Sequence, residues 1–88
     1  MMSFQRFEKI AVIGAGSFGT AIAHHLAQRS PEKVGSVILY GRNAEVVKSI
    51  NKDHRHPLHL NGFELHVNLK ATDELGKAIE NTDLIVFA

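Results

Sequence analysis

The sequence lacks cysteine and tryptophan, has only two prolines, and carries almost no net charge. Without cysteine it can form no disulfide, no thiolate nucleophile and no cysteine-based zinc or iron–sulfur site. A formal charge of +1 gives no electrostatic reason to expect nucleic-acid binding. No apolar run approaches the roughly 20 residues that span a bilayer, and residues 1–6 lack the basic-then-apolar order of a signal peptide. We therefore predict a cytoplasmic protein without membrane insertion.

Within the 88 residues, short apolar runs alternate with amphipathic stretches, which indicates an α/β protein. The apolar runs predict parallel strands at residues 9–13, 36–40, 65–69 and 83–88. Helical periodicity begins at Ser17 and is stopped by Pro31, while Asn43 and Thr72 are suited to start two further helices. Right-handed crossovers then give a Rossmann-type parallel sheet in the order 3-2-1-4 with helices on both faces. A chain of this length holds one core and has little room for a second domain.

The most informative segment is residues 14–19, which fit the pattern G-x-G-x-x-G between a strand and a helix. In this pattern Gly14 allows the tight turn, Gly16 lets a pyrophosphate approach the backbone, and Gly19 lets the helix pack closely against the strand. The free amides at the helix start and the Ser17 hydroxyl would then face the anion. The alternative is a glycine-rich turn that binds nothing; the flanking elements favour a dinucleotide site.

The end of the second strand bears on which dinucleotide binds. NAD sites usually place an acidic residue there to hold the ribose hydroxyls, but no Asp or Glu occurs between Val34 and Ala44. Arg42 instead offers a guanidinium that can bind a 2′-phosphate in a bidentate manner. The sequence therefore favours NADP over NAD and counts against FAD. A solvated loop arginine is the other interpretation of Arg42.

Six histidines raise the question of a metal site, above all the three at positions 54, 56 and 59. Imidazoles close in sequence need not converge, and no carboxylate spacing completes a recognised site. We predict no metal. His24 and His25 in the first helix are expected to be solvated or packed against a neighbouring element, and no catalytic constellation can be argued from spacing.

Residues 9–21 resemble the start of the bacterial-type NAD(P)-dependent glycerol-3-phosphate dehydrogenases, and later segments match the family in order. Residues 40–43 resemble its second strand end, residues 50, 51 and 54 its following helix end, and residues 56–62 its Asn-Pro-x-Tyr-Leu-Pro-Gly loop. Residues 68–72 and 83–88 complete the series. Three positions depart from the family pattern: Phe18 replaces a frequent tryptophan, His59 the loop tyrosine and Asn61 the loop proline.

The resemblance implies reversible reduction of dihydroxyacetone phosphate to sn-glycerol 3-phosphate with NADPH or NADH, as a step towards phospholipids. It also implies that Ser17 and Phe18 lie against the cofactor's pyrophosphate and that Arg42 meets the adenosine ribose phosphate. His59 would take the place of an aromatic group near the cofactor.

The family's catalytic and substrate-binding residues correspond to positions beyond Ala88. We therefore expect residues 1–88 to be the N-terminal part of a dinucleotide-binding domain, without its remainder and without the C-terminal helical substrate domain. Such a part alone is expected to be inactive, and the resemblance leaves a homodimer of the whole enzyme open.

Two other functions stay open at this level. One is a redox-sensing module that binds NAD(P) without chemistry, and the other is an NADP-dependent dehydrogenase of the 6-phosphogluconate or ketopantoate type. These relatives share the glycine pattern and the arginine at the second strand end, but they fit residues 51–72 poorly.

Overall fold

The computed structural model describes residues 6–30, 32–60 and 62–88 of the chain. Strands and helices alternate along it in the order β1 (Phe7–Ile13), α1 (Ser17–Ala27), β2 (Val34–Tyr40), α2 (Ala44–Asp53), β3 (Leu69–Thr72), α3 (Leu75–Ile79) and β4 (Leu84–Phe87). The predicted helix stop at Pro31 and the loop replacement at Asn61 fall outside the described residues. Across these three ranges, no helix is long and apolar enough to cross a membrane.

The four strands form one parallel sheet in the predicted order, β3-β2-β1-β4. Its register aligns Ile10 of β1 with Val37 of β2 on one side and with Leu84 of β4 on the other. Because side chains alternate along a strand, aligned residues of neighbouring strands point to the same face of the sheet. The order and the parallel pairing together confirm the Rossmann-type arrangement.

One face of the sheet packs against α1 and α2 and forms the core. Its members are almost all aliphatic and nearly all inaccessible: Ile10, Val12, Val37, Leu39, Leu69 and Ala71 from the sheet, Ala23 and Ala27 from α1, and Val46 and Ile50 from α2. The two alanines let α1 lie close to the strands. Each fully buried isoleucine or leucine contributes roughly 1.5–3 kcal/mol, so this face carries most of the stability.

The opposite face of the sheet is covered by α3. Lys9 alternates with Ile10 and so points away from the core, and its Nζ donates to the carbonyls of Lys77 at 2.9 Å and Glu80 at 2.7 Å. A cation is favourable at these carbonyls because they lie at the negative end of a helix. Ala78 of α3 is fully buried. Helices therefore lie on both faces, as predicted.

The third strand differs from the prediction. It was expected at residues 65–69, but β3 begins only at Leu69. Leu65 is 1% exposed, but its amide donates to His54 O at 2.7 Å and not to a neighbouring strand. A turn follows, in which the Leu69 amide donates to His66 O and the Asn68 amide to His66 Nδ1. The apolar pattern at residues 65–69 thus reflects burial of a loop and the first residue of β3.

The third helix also begins later than predicted. Thr72 Oγ1 accepts a hydrogen bond from the Glu74 amide at 3.1 Å, which makes a turn before the helix and not a cap on it. The helix itself starts at Leu75, with Glu74 at the capping position and no side-chain hydrogen bond there. Asn43, by contrast, caps α2 as predicted, since its Oδ1 accepts from the amides of Glu45 and Val46.

The outer edge of β3 is occupied by the side chain of Asn51 from α2. Its Nδ2 donates to Ala71 O at 2.9 Å, and its Oδ1 accepts from the Ala71 amide at 2.8 Å. One amide side chain therefore satisfies both backbone groups of a residue on the edge of the sheet.

The turn from β1 into α1 depends on two glycines. Gly14 has φ +124°, a conformation that residues with side chains rarely adopt. Gly19 is buried in α1, and a Cβ added there would collide with the carbonyl oxygen of Gly14. The first turn of α1 is consequently held directly against the end of β1.

We predict that Gly19→Ala lowers the free energy of unfolding by about 1–3 kcal/mol or more, because the new methyl group forces helix and strand apart. Urea unfolding measures this change. Gly76→Ala is the matched control: it lies in α3 with no atom within 4 Å of the added Cβ, so it should leave stability unchanged or raise it by up to about 1 kcal/mol. Equal midpoints for Gly19→Ala and the parent chain would contradict this packing.

Stability should fall on acidification through His24. Its Nδ1 accepts the His66 amide at 2.9 Å, and its ring contacts Phe63 edge-on with centroids 4.9 Å apart. Partial burial, followed by the proximity of His66 and of His25, lowers the pKa of His24 from its ordinary value of 6.5.

The folded chain therefore binds fewer protons at His24 than the unfolded chain, so its contribution is full above pH 6.5 and is lost as the pH falls below it. Thermal melting between about pH 7.5 and about pH 5 should show a smaller loss of stability for His24→Gln than for the parent. His25→Gln, which removes only the smallest of the three causes, should change the slope less than His24→Gln does. An identical slope for His24→Gln and the parent would exclude this role.

Candidate functional site

A crevice opens where β1, β2 and β4 end. It has a volume of about 400 Å³, and its lining comes from the last residues of the three strands and the turns that follow them: Ile13, Gly14, Ala15, Tyr40, Gly41, Arg42, Phe87 and Ala88. In open parallel sheets, ligands bind outside the carboxyl ends of the strands, at the point where the strand order reverses. Here the order reverses between β1 and β4, so the crevice lies at that point.

A second cavity of about 260 Å³ adjoins the first. The two share Ala15, Gly41 and Arg42, and the second is completed by the start of α2 and the loop after it: Asn43, Val46, His56, Leu58 and His59. Together they form one continuous depression that runs from the end of β4 past the glycine turn to the loop after α2.

Backbone contacts hold the walls of the depression together. The Gly14 amide donates to Tyr40 O at 3.0 Å and the Gly41 amide to Thr72 O at 3.1 Å, so three strand ends are fixed side by side. Gly41 is buried, and a Cβ added to it would lie 2.5 Å from that of Ala15. The absence of a side chain at Gly41 therefore lets the end of β2 approach the glycine turn, a role that the sequence analysis did not assign to it.

The N-terminus of α1 lies next to the crevice. Gly16 occupies the capping position without a side-chain hydrogen bond, and the first amides of any helix have no acceptor within the helix. No acidic residue occurs in the first turn of α1. Ser17 and Phe18 are exposed there, Phe18 to 71%. This end of the helix therefore presents free N–H donors and a positive partial charge.

The structure brings together only some of the residues that the sequence singles out. Gly14, Arg42 and His59 line the depression. Gly16, Ser17 and Phe18 are exposed beside it without lining either cavity, and Gly19 is buried behind the turn. The predicted residues thus lie along one surface, with Gly19 acting through packing alone.

The charged lining of the depression is basic. Arg42 is exposed and lines both cavities, and none of the described lining residues is an aspartate or a glutamate. Glu45 lies in the first turn of α2, where its amide donates to Asn43 Oδ1, and it does not line either cavity. An anionic ligand therefore meets no negatively charged side chain in the described lining.

His56 is a site residue that the sequence analysis missed. It is 4% exposed and its Nε2 lies 2.7 Å from Ala15 O, in the glycine turn. Nothing in the local sequence distinguishes it from the neighbouring histidines, because its partner is 41 residues away in the chain. Among the described residues, no group of three or more His, Cys, Asp or Glu side chains could hold a metal ion.

Comparison with known proteins gives a consistent match. Residues 9–88 match the family described as NAD-dependent glycerol-3-phosphate dehydrogenase N-terminus. Proteins named glycerol-3-phosphate dehydrogenase [NAD(P)+] are 44% identical over 78 residues in Nitratidesulfovibrio vulgaris and 45% identical over 80 residues in Clostridium botulinum. These alignments cover 89% and 91% of this chain but only 22% and 23% of the two relatives.

Solved structures of glycerol-3-phosphate dehydrogenases have the same fold. The enzyme from Saccharomyces cerevisiae superposes with a TM-score of 0.82 at 29% identity, covering 92% of this chain and 26% of that one. The enzyme from Coxiella burnetii gives 0.77 at 28% identity, covering 91% and 23%. The chain thus spans about a quarter of the length of these relatives. It belongs to the family of NAD-dependent glycerol-3-phosphate dehydrogenase N-terminal domains.

Proposed function

We propose that this chain binds NADP(H), and less tightly NAD(H), along the depression between the glycine turn and the loop after α2. The pyrophosphate would lie at the N-terminus of α1, against Gly16, Ser17 and Phe18. The adenosine end would lie in the cavity that contains Arg42 and His59. The observation that carries this proposal is the placement of an uncapped helix N-terminus beside a continuous depression at the reversal of strand order.

The glycine turn fits a pyrophosphate sterically. No atom lies within 4 Å of the position that a Cβ on Gly16 would occupy, so the space in front of the turn is open. The free amides of the first helical turn supply donors, and the Ser17 hydroxyl adds another. Gly14 and Gly19 contribute indirectly, because they hold this helix end at the end of β1.

The adenosine end favours a phosphorylated ribose. Arg42 provides a planar guanidinium with several donors, and the described lining offers no acidic side chain that would repel a 2′-phosphate. His59 is exposed in the same cavity, with its ring centroid 4.8 Å from that of His56. Its imidazole can contact a base or a ribose, as the tyrosine at this position in the family pattern would.

The whole protein would reversibly reduce dihydroxyacetone phosphate to sn-glycerol 3-phosphate, which feeds phospholipid synthesis. The bound nicotinamide cofactor would supply or accept the hydride, and the groups that act on the substrate would lie outside residues 1–88. Family membership favours this dehydrogenase over the sensor and over the other dehydrogenases that the sequence leaves open. A cytoplasmic location and a homodimer belong to the same proposal.

Gly16→Ala tests the pyrophosphate position. Its added methyl group meets no atom of the protein, so the melting temperature should not change, whereas NADH and NADPH affinity should each fall at least about tenfold because the methyl occupies the ligand's space. Calorimetric titration and thermal melting measure the two effects. Gly76→Ala is again the control, and unchanged affinity in Gly16→Ala would place the pyrophosphate elsewhere.

Arg42→Ala tests the 2′-phosphate contact. Loss of charge-assisted hydrogen bonds should weaken NADPH binding by about 1.5–3 kcal/mol and leave NADH binding almost unchanged. Arg29→Ala, an exposed arginine in the turn after α1, controls for the general loss of a positive charge. Equal losses for the two coenzymes in Arg42→Ala would remove Arg42 from coenzyme selection.

A further inference from the structure

His56 differs from the other polar side chains near the depression in being buried and fully hydrogen-bonded. Its ring lies between the glycine turn and the loop that follows α2. Nε2 is 2.7 Å from Ala15 O, and Nδ1 lies 3.1 Å from the Leu58 amide and 3.2 Å from the His59 amide. One side chain therefore contacts both walls of the second cavity.

These contacts assign the proton on the ring. Nδ1 faces two N–H donors, so it must carry the lone pair and accept from them. Ala15 O can only accept, so Nε2 must carry the hydrogen and donate it. A neutral imidazole with its hydrogen on Nε2 satisfies every contact, and neither the other tautomer nor the charged ring does.

The bond to Ala15 O fixes the orientation of a peptide plane in the glycine turn. The Ala15 carbonyl and the Gly16 amide belong to one planar trans peptide, so they point in opposite directions. When His56 holds the carbonyl, the Gly16 N–H must point away from His56. Gly16 has no neighbour within 4 Å of its Cβ position, so side-chain packing there does not prevent this peptide from rotating.

We propose that His56 is a positioning residue for dinucleotide binding: its Nε2–H holds the Ala15–Gly16 peptide in the orientation that the pyrophosphate requires, while its Nδ1 holds the wall bearing His59. The inference rests on the proposed function, because it concerns the same ligand. Its energetic basis is preorganisation, since a turn already held in the bound conformation loses less freedom when the ligand arrives.

Two substitutions separate the contacts of the ring. His56→Gln can keep a donor near the position of Nε2 but loses the acceptor near Nδ1, whereas His56→Asn keeps that acceptor but cannot reach Ala15 O. Calorimetric titration of the whole chain with NADH gives the affinities, and thermal melting gives the stabilities. We expect His56→Asn to bind NADH about tenfold more weakly, the effect of one lost hydrogen bond to a partly buried carbonyl, and His56→Gln to stay within about threefold of the parent.

His66→Asn is the matched control. His66 makes a similar turn, with Nδ1 accepting the Asn68 amide at 3.1 Å, but it lines neither cavity. Its substitution should leave NADH affinity unchanged. Equal NADH affinities for the parent, His56→Asn and His56→Gln would overturn the proposal. It would also be overturned if both variants lost NADH affinity only in proportion to their loss of melting temperature.

Nuclear magnetic resonance of the unsubstituted chain keeps the proposal testable if either variant fails to fold. The ring of His56 should carry its proton on Nε2, in slow exchange with water, and exchange should slow further when NADH binds. A proton on Nδ1 would overturn the proposal. Absence of NADH binding by the parent would instead contradict the proposed function, and the ring proton would still show whether His56 holds Ala15 O.

Discussion

The close approach of α1 to the end of β1 is the contact on which the rest of the site depends. Because Gly19 has no side chain, the helix reaches the carbonyl of Gly14 and its uncapped first turn lies at the mouth of the crevice. Gly41 allows a second close approach, between the end of β2 and Ala15. The depression is thus shaped mainly by close approaches that the two glycines permit, so its position follows from the fold.

The charge of the site differs from the charge of the chain. Overall the chain is almost neutral, with a formal charge of +1, yet the depression combines a positive helix end with Arg42 and, among its described lining residues, no acidic side chain. The balancing acids lie elsewhere: Glu8 pairs with Arg6, and Glu74 pairs with Lys77. Net charge therefore says little about the charge of a small local site.

The features that were predicted correctly from the sequence are those that depend on patterns within a few neighbouring residues and on the handedness of the chain. The strand order, the glycine turn and the Asn43 cap follow from periodicity, chirality and spacing over a few residues. The position of β3 did not follow, because burial of Leu65 in a loop gives the same apolar signal as burial in a strand. The roles of His56 and Gly41 were not predicted for a related reason. Each contacts Ala15, and these contacts exist only once the sheet has formed.

The contact between Asn51 and Ala71 makes the two edges of the sheet unequal in their capacity to pair with another strand. The outward N–H and C=O of Ala71 are both taken by one side chain, and the Leu69 amide is taken by the preceding turn. Another strand could not pair with β3 through these groups, because they are already hydrogen-bonded. In the described part of the chain no side chain covers the far edge of β4 in this way, so of the two edges it is the one left open to pairing.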